Sequence, residues 1–314
     1  MKTSTLITTF ILSILSLSAY SQSAAFLNIS SDARAAAMGE TGYALPVSAF
    51  ASSGNTAALS FSENKFAFGG TYINWQPDAA AITQMSFGGY VKLSKSVGIA
   101  LGYKNNSHDK YPVYDNDGNS LGDYTPKENA FDLGASFLVS KKFSLGLTAR
   151  YISSDIAEDK DGNGSADGFA VGIHAYYKLN DKANLSLGIT NLGSKMDYGY
   201  NKTDLPSRLK LGGSYKYSLS DAHTLTCAAE FDYQLKPSDF SGVAGGAGVE
   251  YAGWNTLFLR AGYHLGQEEK TGPSYATVGA GLKFNFISCD FAYILASGDA
   301  VVKSSMFATL SILF

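Results

Sequence analysis

From Lys65 to Phe314 apolar and polar positions alternate with a period of two, segment after segment. In Lys142–Ile152, Phe143, Leu145, Leu147, Ala149 and Tyr151 fall on one side and Ser144, Gly146, Thr148 and Arg150 on the other. Successive side chains of a strand point to opposite faces, so this spacing predicts a ribbon with one oily and one small, polar face. The split recurs in Asn184–Thr190, in His223–Gln234 and in the last segment, where Met306, Ala308, Leu310, Ile312 and Phe314 share a side. Fourteen such segments are predicted, at 65–75, 83–94, 96–105, 128–140, 142–153, 167–180, 182–192, 207–219, 222–235, 242–252, 254–264, 273–286, 287–296 and 304–314. Most exceed the roughly five or six residues of a soluble strand. They reach the roughly 9–11 that a tilted strand needs to cross a bilayer.

The connections alternate too. Tight ones fall at Ser94-Lys95-Ser96, Ser140-Lys141, Asn180-Asp181, Ser220-Asp221, Gly253 and Phe286-Ile287. Long ones fall at 76–82, 106–127, 154–166, 193–206, 236–241, 265–272 and 297–303, rich in Asp, Asn, Gly, Lys and Pro. That alternation predicts an antiparallel meander with both ends on the tight-turn side. Bacterial outer-membrane barrels show the same asymmetry, with short periplasmic turns and long extracellular loops.

Charge decides which face is enclosed. The non-oily face holds Asp132, Arg150, Lys210, Glu230, Asp232, Glu250, Arg260, Lys283 and Asp290. A dry core could not take so many charges without a large desolvation cost. A hydrogen-bonded lumen can, so the oily face is expected to meet lipid. The fold class expected is all-β: a transmembrane antiparallel barrel of about fourteen strands. Tyrosines near strand ends, among them Tyr72, Tyr90, Tyr151 and Tyr233, are expected to form interfacial girdles. The composition agrees: only 16% of residues are charged, 13% are aromatic and 33 are Gly. A net charge of −3 gives no basic footprint for nucleic acid. Two cysteines make no disulfide framework, and Cys227 and Cys289 are expected on the lipid face.

The beginning of the chain lacks the alternation. Residues 1–21 have Lys2, an apolar stretch from Leu6 to Leu17 and the small-x-small Ala19-Tyr20-Ser21, the pattern of a secretory signal peptide. Residues 22–64 are expected to form a short helical or irregular plug. Ala33–Met38 is Ala-rich, Asp32 is a plausible N-cap, and Gly39 and Gly42 end the run. The barrel itself is expected over 65–314.

The stretch FLNISSDARAAAMGETGYAL, followed by SGNTAALSF, resembles the start of PorV/PorQ-family outer-membrane proteins, relatives of the FadL transporters. Asp32, Arg34, Met38 and Gly39 match the family pattern, and Asn55-Thr56-Ala57 matches with Thr in place of Pro. Gly118–Ile156 is PorV-like, with Pro126, Glu128, Ala130, Asp132, Arg150, Tyr151 and Asp155 in order. The resemblance implies a Bacteroidetes protein of the type IX secretion system. It also implies partners: secretion-system subunits and the C-terminal signal domains of exported cargo, which are passed to surface attachment. The alternative implied by the FadL kinship is transport of hydrophobic small molecules.

One loop has metal-ligand spacing. Asp159, Asp161, Asn163 and Asp167 place oxygen donors as calcium prefers, although the twelfth position is Ala170 rather than Glu. His174 and His264 are expected to face the lumen, and no histidine is singled out beside a nucleophile. The protein is therefore expected to be non-enzymatic.

Overall fold

The computed structural model describes residues 24–114, 118–157, 164–199, 201–298 and 300–314. Fourteen strands form the wall: β1 (Phe66–Trp75), β2 (Ile82–Lys92), β3 (Val97–Ser107), β4 (Lys127–Ser140), β5 (Phe143–Asp155), β6 (Ser165–Lys178), β7 (Ala183–Gly193), β8 (Arg208–Ser218), β9 (His223–Gln234), β10 (Gly242–Gly253), β11 (Leu257–Leu265), β12 (Tyr275–Phe284), β13 (Ile287–Leu295) and β14 (Met306–Leu313). Each pairs antiparallel with its sequence neighbours, and β14 pairs with β1 to close the barrel. The expected segments agree with these strands to within a few residues. Closure leaves no edge strand, so the wall amides pair along the sheet, apart from a few at strand ends and bulges such as the Phe169 and Val243 N–H groups, which donate to Ser194 Oγ and Gln267 Oε1.

The oily face is outside. Along β5, Leu145 and Leu147 are 40% and 52% exposed, whereas Ser144 and Thr148 on either side of them are buried. Leu133 and Phe131 on β4, Val171 and Phe169 on β6, and Leu187 on β7 extend the apolar band around the wall. Cys227 and Cys289 are free and lie on this exposed face. The girdle expectation fails at one residue. Tyr90 shares the inward parity of Gln84 and Ser86, is buried, and bonds Ser62 Oγ through its hydroxyl at 2.8 Å. Pleat phase outweighs the aromatic preference for the interface.

The interior is packed rather than open. A 3₁₀ turn (Ala25–Asn28), the helix α1 (Ala33–Ala37) and a second 3₁₀ turn (Thr56–Phe61) lie inside the wall. Phe26, Leu27 and Ile29 join a buried apolar cluster with Ile73, Ile152, Met196, Ile294 and Phe307. Phe50 and Leu59 join another with Tyr90 and Ala100. Burial of this apolar surface and of Leu59 in particular sets the depth of the segment against the wall.

Two of the long connections carry structure of their own. Tyr111–Tyr114 pairs with Ser120–Tyr124, and Met196–Asp197 pairs with Lys202–Thr203.

Candidate functional site

Residues 24–62 meet the wall through a polar seam that starts at α1. Asp32 caps this helix, its Oδ1 accepting the Arg34 N–H at 2.9 Å. The cap fixes the first turn and directs Arg34 at the wall. There Arg34 donates to both carboxylate oxygens of Glu250, at 2.8 and 2.7 Å. Glu250 also accepts from Arg260 Nε at 2.7 Å, and Arg260 Nη1 reaches Asp290 at 2.7 Å. One chain of four charges thus links α1 to β10, β11 and β13. Alternating signs give each group an opposite partner inside the barrel, where an unpaired charge would be costly.

A second cluster occupies the neighbouring wall. Lys210 on β8 lies 2.6 Å from both Glu230 and Asp232 on β9, and Glu230 accepts the Tyr43 N–H at 2.9 Å. Two carboxylates two residues apart on one strand face repel unless a cation bridges them, and Lys210 does so. Arg208 adds a further contact to Asp232 at 3.7 Å. Across the lumen Arg150 makes a bidentate pair with Asp132, at 2.6 and 2.7 Å, and reaches Asn191 Oδ1 at 2.6 Å. His174 sits between Tyr43 Oη at 2.7 Å and Thr148 Oγ1 at 3.2 Å. His264 stacks on Tyr275. Lys283 points inward near the Phe284–Ile287 turn, half-buried and outside these clusters.

The motif residues before the wall have distinct surroundings. Met38 and Gly39 run against wall glycines. A side chain at Gly248 or Gly262 would collide with Met38, and one at Gly246 would meet the Gly39 carbonyl. Gly248 and Gly262 are cross-strand partners on β10 and β11, so they form a recess in the inner wall. Gly39 itself has φ +70°, and a Cβ there would lie 2.6 Å from the Tyr263 carbonyl oxygen. Its N–H donates to Thr277 Oγ1 at 3.0 Å. Both the left-handed backbone and the contact require glycine. Asn55 caps the second 3₁₀ turn by accepting the Ala57 N–H at 3.0 Å, and its Nδ2 donates to the Tyr43 carbonyl at 3.0 Å.

Several inward polar groups fall outside the set expected from the sequence. Lys104 donates to the Ile29 carbonyl at 2.7 Å, and Glu128 accepts from Asn106 at 3.0 Å. Arg208, above, is a third, and Glu40 lies beside the Tyr275 hydroxyl at 3.5 Å. The signal for Lys104, Glu128 and Arg208 was strand parity at the ends of predicted segments. The segment itself is also tied to the closing strands: Thr71 Oγ1 donates to the Ser31 carbonyl at 2.7 Å, and the Ala33 N–H donates to Thr309 Oγ1 at 3.1 Å.

A cavity of about 150 Å³ remains between the segment and the wall. Its lining includes Arg34, Glu40, Lys104, Arg150, Lys210 and Glu230, with Leu27, Leu45 and Phe50. The lining is mixed, charges of both signs standing beside an apolar share of about the same extent.

Of the calcium spacing, Asp159, Asp161 and Asn163 lie outside the described residues. Asp167 stands on β6, on the outward face, and accepts from the Tyr151 hydroxyl at 2.7 Å. Among the described residues no group of three or more His, Cys, Asp or Glu is arranged to hold a metal. In the neighbouring loop hairpin the Lys202 ammonium, 2.6 Å away, and the Gly199 N–H hold the Asp197 carboxyl below its ordinary range.

The family described as type IX secretion system protein PorV matches residues 17–241. No curated protein matches the chain. Among solved structures it is similar to the Pseudomonas putida toluene transporter TodX, at TM-score 0.62 and 13% identity, covering 89% of this chain and 97% of that one. It is likewise similar to the Ralstonia pickettii toluene transporter TbuX, at TM-score 0.57 and 14% identity, covering 89% and 96%. At such identities the likeness concerns the fold alone, a closed antiparallel barrel.

Proposed function

Because the chain belongs to the family of the type IX secretion system protein PorV, an outer-membrane component of that system, we propose that it binds the C-terminal domains of exported cargo and passes them to cell-surface attachment. The docking surface is the long-loop end, where recognition sits on loops held by a rigid wall. The observation that carries this reading is the hairpin of Tyr111–Tyr114 and Ser120–Tyr124. It stands beyond the lipid-facing strands and presents Tyr111, Tyr114 and Leu121 to solvent. Exposed tyrosines give large contact area at small entropy cost, and a two-stranded hairpin offers an edge to which a β-rich domain can add. The loops 154–166 and 193–206 complete the surface. The protein performs no chemistry in this role; its work is binding and hand-over.

Transport of a hydrophobic small molecule would need an apolar pocket between inner segment and wall. The cavity there is small, about 150 Å³, and charges of both signs interrupt its apolar part, which favours the secretion role over that alternative. The test replaces residues 111–124 by a short turn and compares the cell-surface proteome with the periplasm. Cargo is expected to accumulate in the periplasm while the barrel remains in the outer membrane. Undiminished display of cargo on the surface would reject the role.

A further inference from the structure

The net charge of −3 conceals a strong polarity along the barrel axis. The seven long connections contain fifteen Asp and Glu against eight Lys. The tight-turn end has the opposite excess: nine Lys against only Glu63, Asp181 and Asp221. Short turns of bacterial barrels face the periplasm, so the basic end is the periplasmic one.

Two groups of lysines make up this end. Lys92, Lys178, Lys216 and Lys283 have inward parity at the final turns of β2, β6, β8 and β12. Lys216 lies between outward Tyr215 and Tyr217, and Lys283 between outward Leu282 and Phe284. Their ammonium groups therefore ring the lumen mouth instead of reaching out to lipid headgroups. Lys95, Lys141, Lys142 and Lys182 stand exposed on the turns themselves.

The charge here is uncompensated. Among the described residues, the one ion pair at this end is Lys178 with Asp181, at 4.0 Å. Lys92 and Lys142 spend hydrogen bonds on the carbonyls of Ser62 and Leu179, which satisfies a donor without cancelling its charge. By contrast, lysines at the loop end pair closely, as Lys110 does with Asp123 and Lys202 with Asp197, each at 2.6 Å. Clustered like charges raise the energy of the free state and create a potential that steers an opposite partner to the mouth.

We propose that the tight-turn mouth is a docking surface for an acidic polypeptide of the periplasm, an Asp- and Glu-rich segment of a partner protein. The inward aim of four of the lysines disfavours a membrane surface as the occupant. A second copy in the same membrane would present its acidic loops on the opposite side, so it cannot supply the complement. This surface is separate from the cargo-binding loops and stands whether or not that reading holds.

The test uses the full-length barrel in neutral-lipid nanodiscs, with a fluorescent peptide of alternating Glu and Asp as probe and fluorescence anisotropy as readout. Binding is expected at low salt and should weaken steeply as salt is added. The combined variant Lys141→Glu, Lys142→Glu, Lys182→Glu is expected to bind about tenfold or more weakly. Lys303→Glu, at the loop end and outside the proposed cargo surface, should bind as the unaltered protein does. Absence of peptide binding at low salt would overturn the proposal. So would equal binding by the triple variant. Binding only of nanodiscs to vesicles rich in phosphatidylglycerol, with none to the peptide, would assign the lysines to lipid and also overturn it. The salt series on the unaltered protein keeps the test decisive should the triple variant fail to assemble.

Discussion

Glu250 neutralises two guanidinium groups at once, Arg34 from the inner segment and Arg260 from the wall. Glu250→Ala leaves both without it, and loss of one partner from a buried charge network costs about 3–5 kcal/mol. The expected outcome is a lower midpoint for heat-induced unfolding, followed as the shift in gel mobility of the folded barrel. Lys110→Ala, which breaks an exposed loop pair, should leave that midpoint unchanged. Much of this scale was legible beforehand: the bridging of Glu230 and Asp232 by Lys210 follows from strand parity and adjacency. Lys104 was not, because its partners are the carbonyls of Leu27 and Ile29, and no alternation rule reports where an irregular segment places its backbone. Gly39 shows the same limit. Its identity could be read, but the contact with Tyr263 that makes it necessary joins residues far apart in the chain.

Strands were the most legible elements, since a two-residue period sustained over ten or more positions has few other physical solutions. The segment expected at 142–153 is β5, Phe143–Asp155, with the expected faces. Tyr90 was misread because residue type was weighed ahead of its place between inward Gly88 and Lys92. The loop hairpins were invisible: strands of four and five residues, largely exposed on both faces, leave no hydrophobic alternation to find, and the two-residue strands of the second hairpin are too short to show any. The outward face makes its own prediction. Leu147→Arg near the middle of β5 places a charge in hydrocarbon, at a cost of about 2–4 kcal/mol near the midplane. Refolding yield into lipid vesicles should fall for this variant, whereas Leu147→Val should refold normally. At the level of α1, Gly248→Leu fills the recess that receives Met38. The expected outcome is displacement of residues 24–62, seen as protease cleavage there in outer-membrane preparations.

For the molecule as a whole, the interior clusters and ion-pair chains leave a cavity of only about 150 Å³ beside the inner segment. Planar-bilayer recordings of the intact protein should show little ion current, and Gly248→Leu should raise it. A large steady current through the intact protein would contradict an interior filled in this way. With its apolar band outward, the purified protein should stay monodisperse in detergent and aggregate once detergent is removed. Composition and alternation made this architecture readable at the sequence level. What the long loops would bind in the proposed role was not readable, because loop recognition depends on surfaces that no repeating pattern encodes.

The hydrogen bonds from Thr71 to Ser31 and from Ala33 to Thr309 have a consequence for assembly. They hold one of the earliest parts of the polypeptide to be synthesised against the last strand to emerge. Biogenesis therefore cannot finish in the order of translation. Until the trailing strand arrives the leading residues keep water as their partner, and only then does a clasp shut across the join. Seating of the early residues and closing of the cylinder are thereby coupled into one late event.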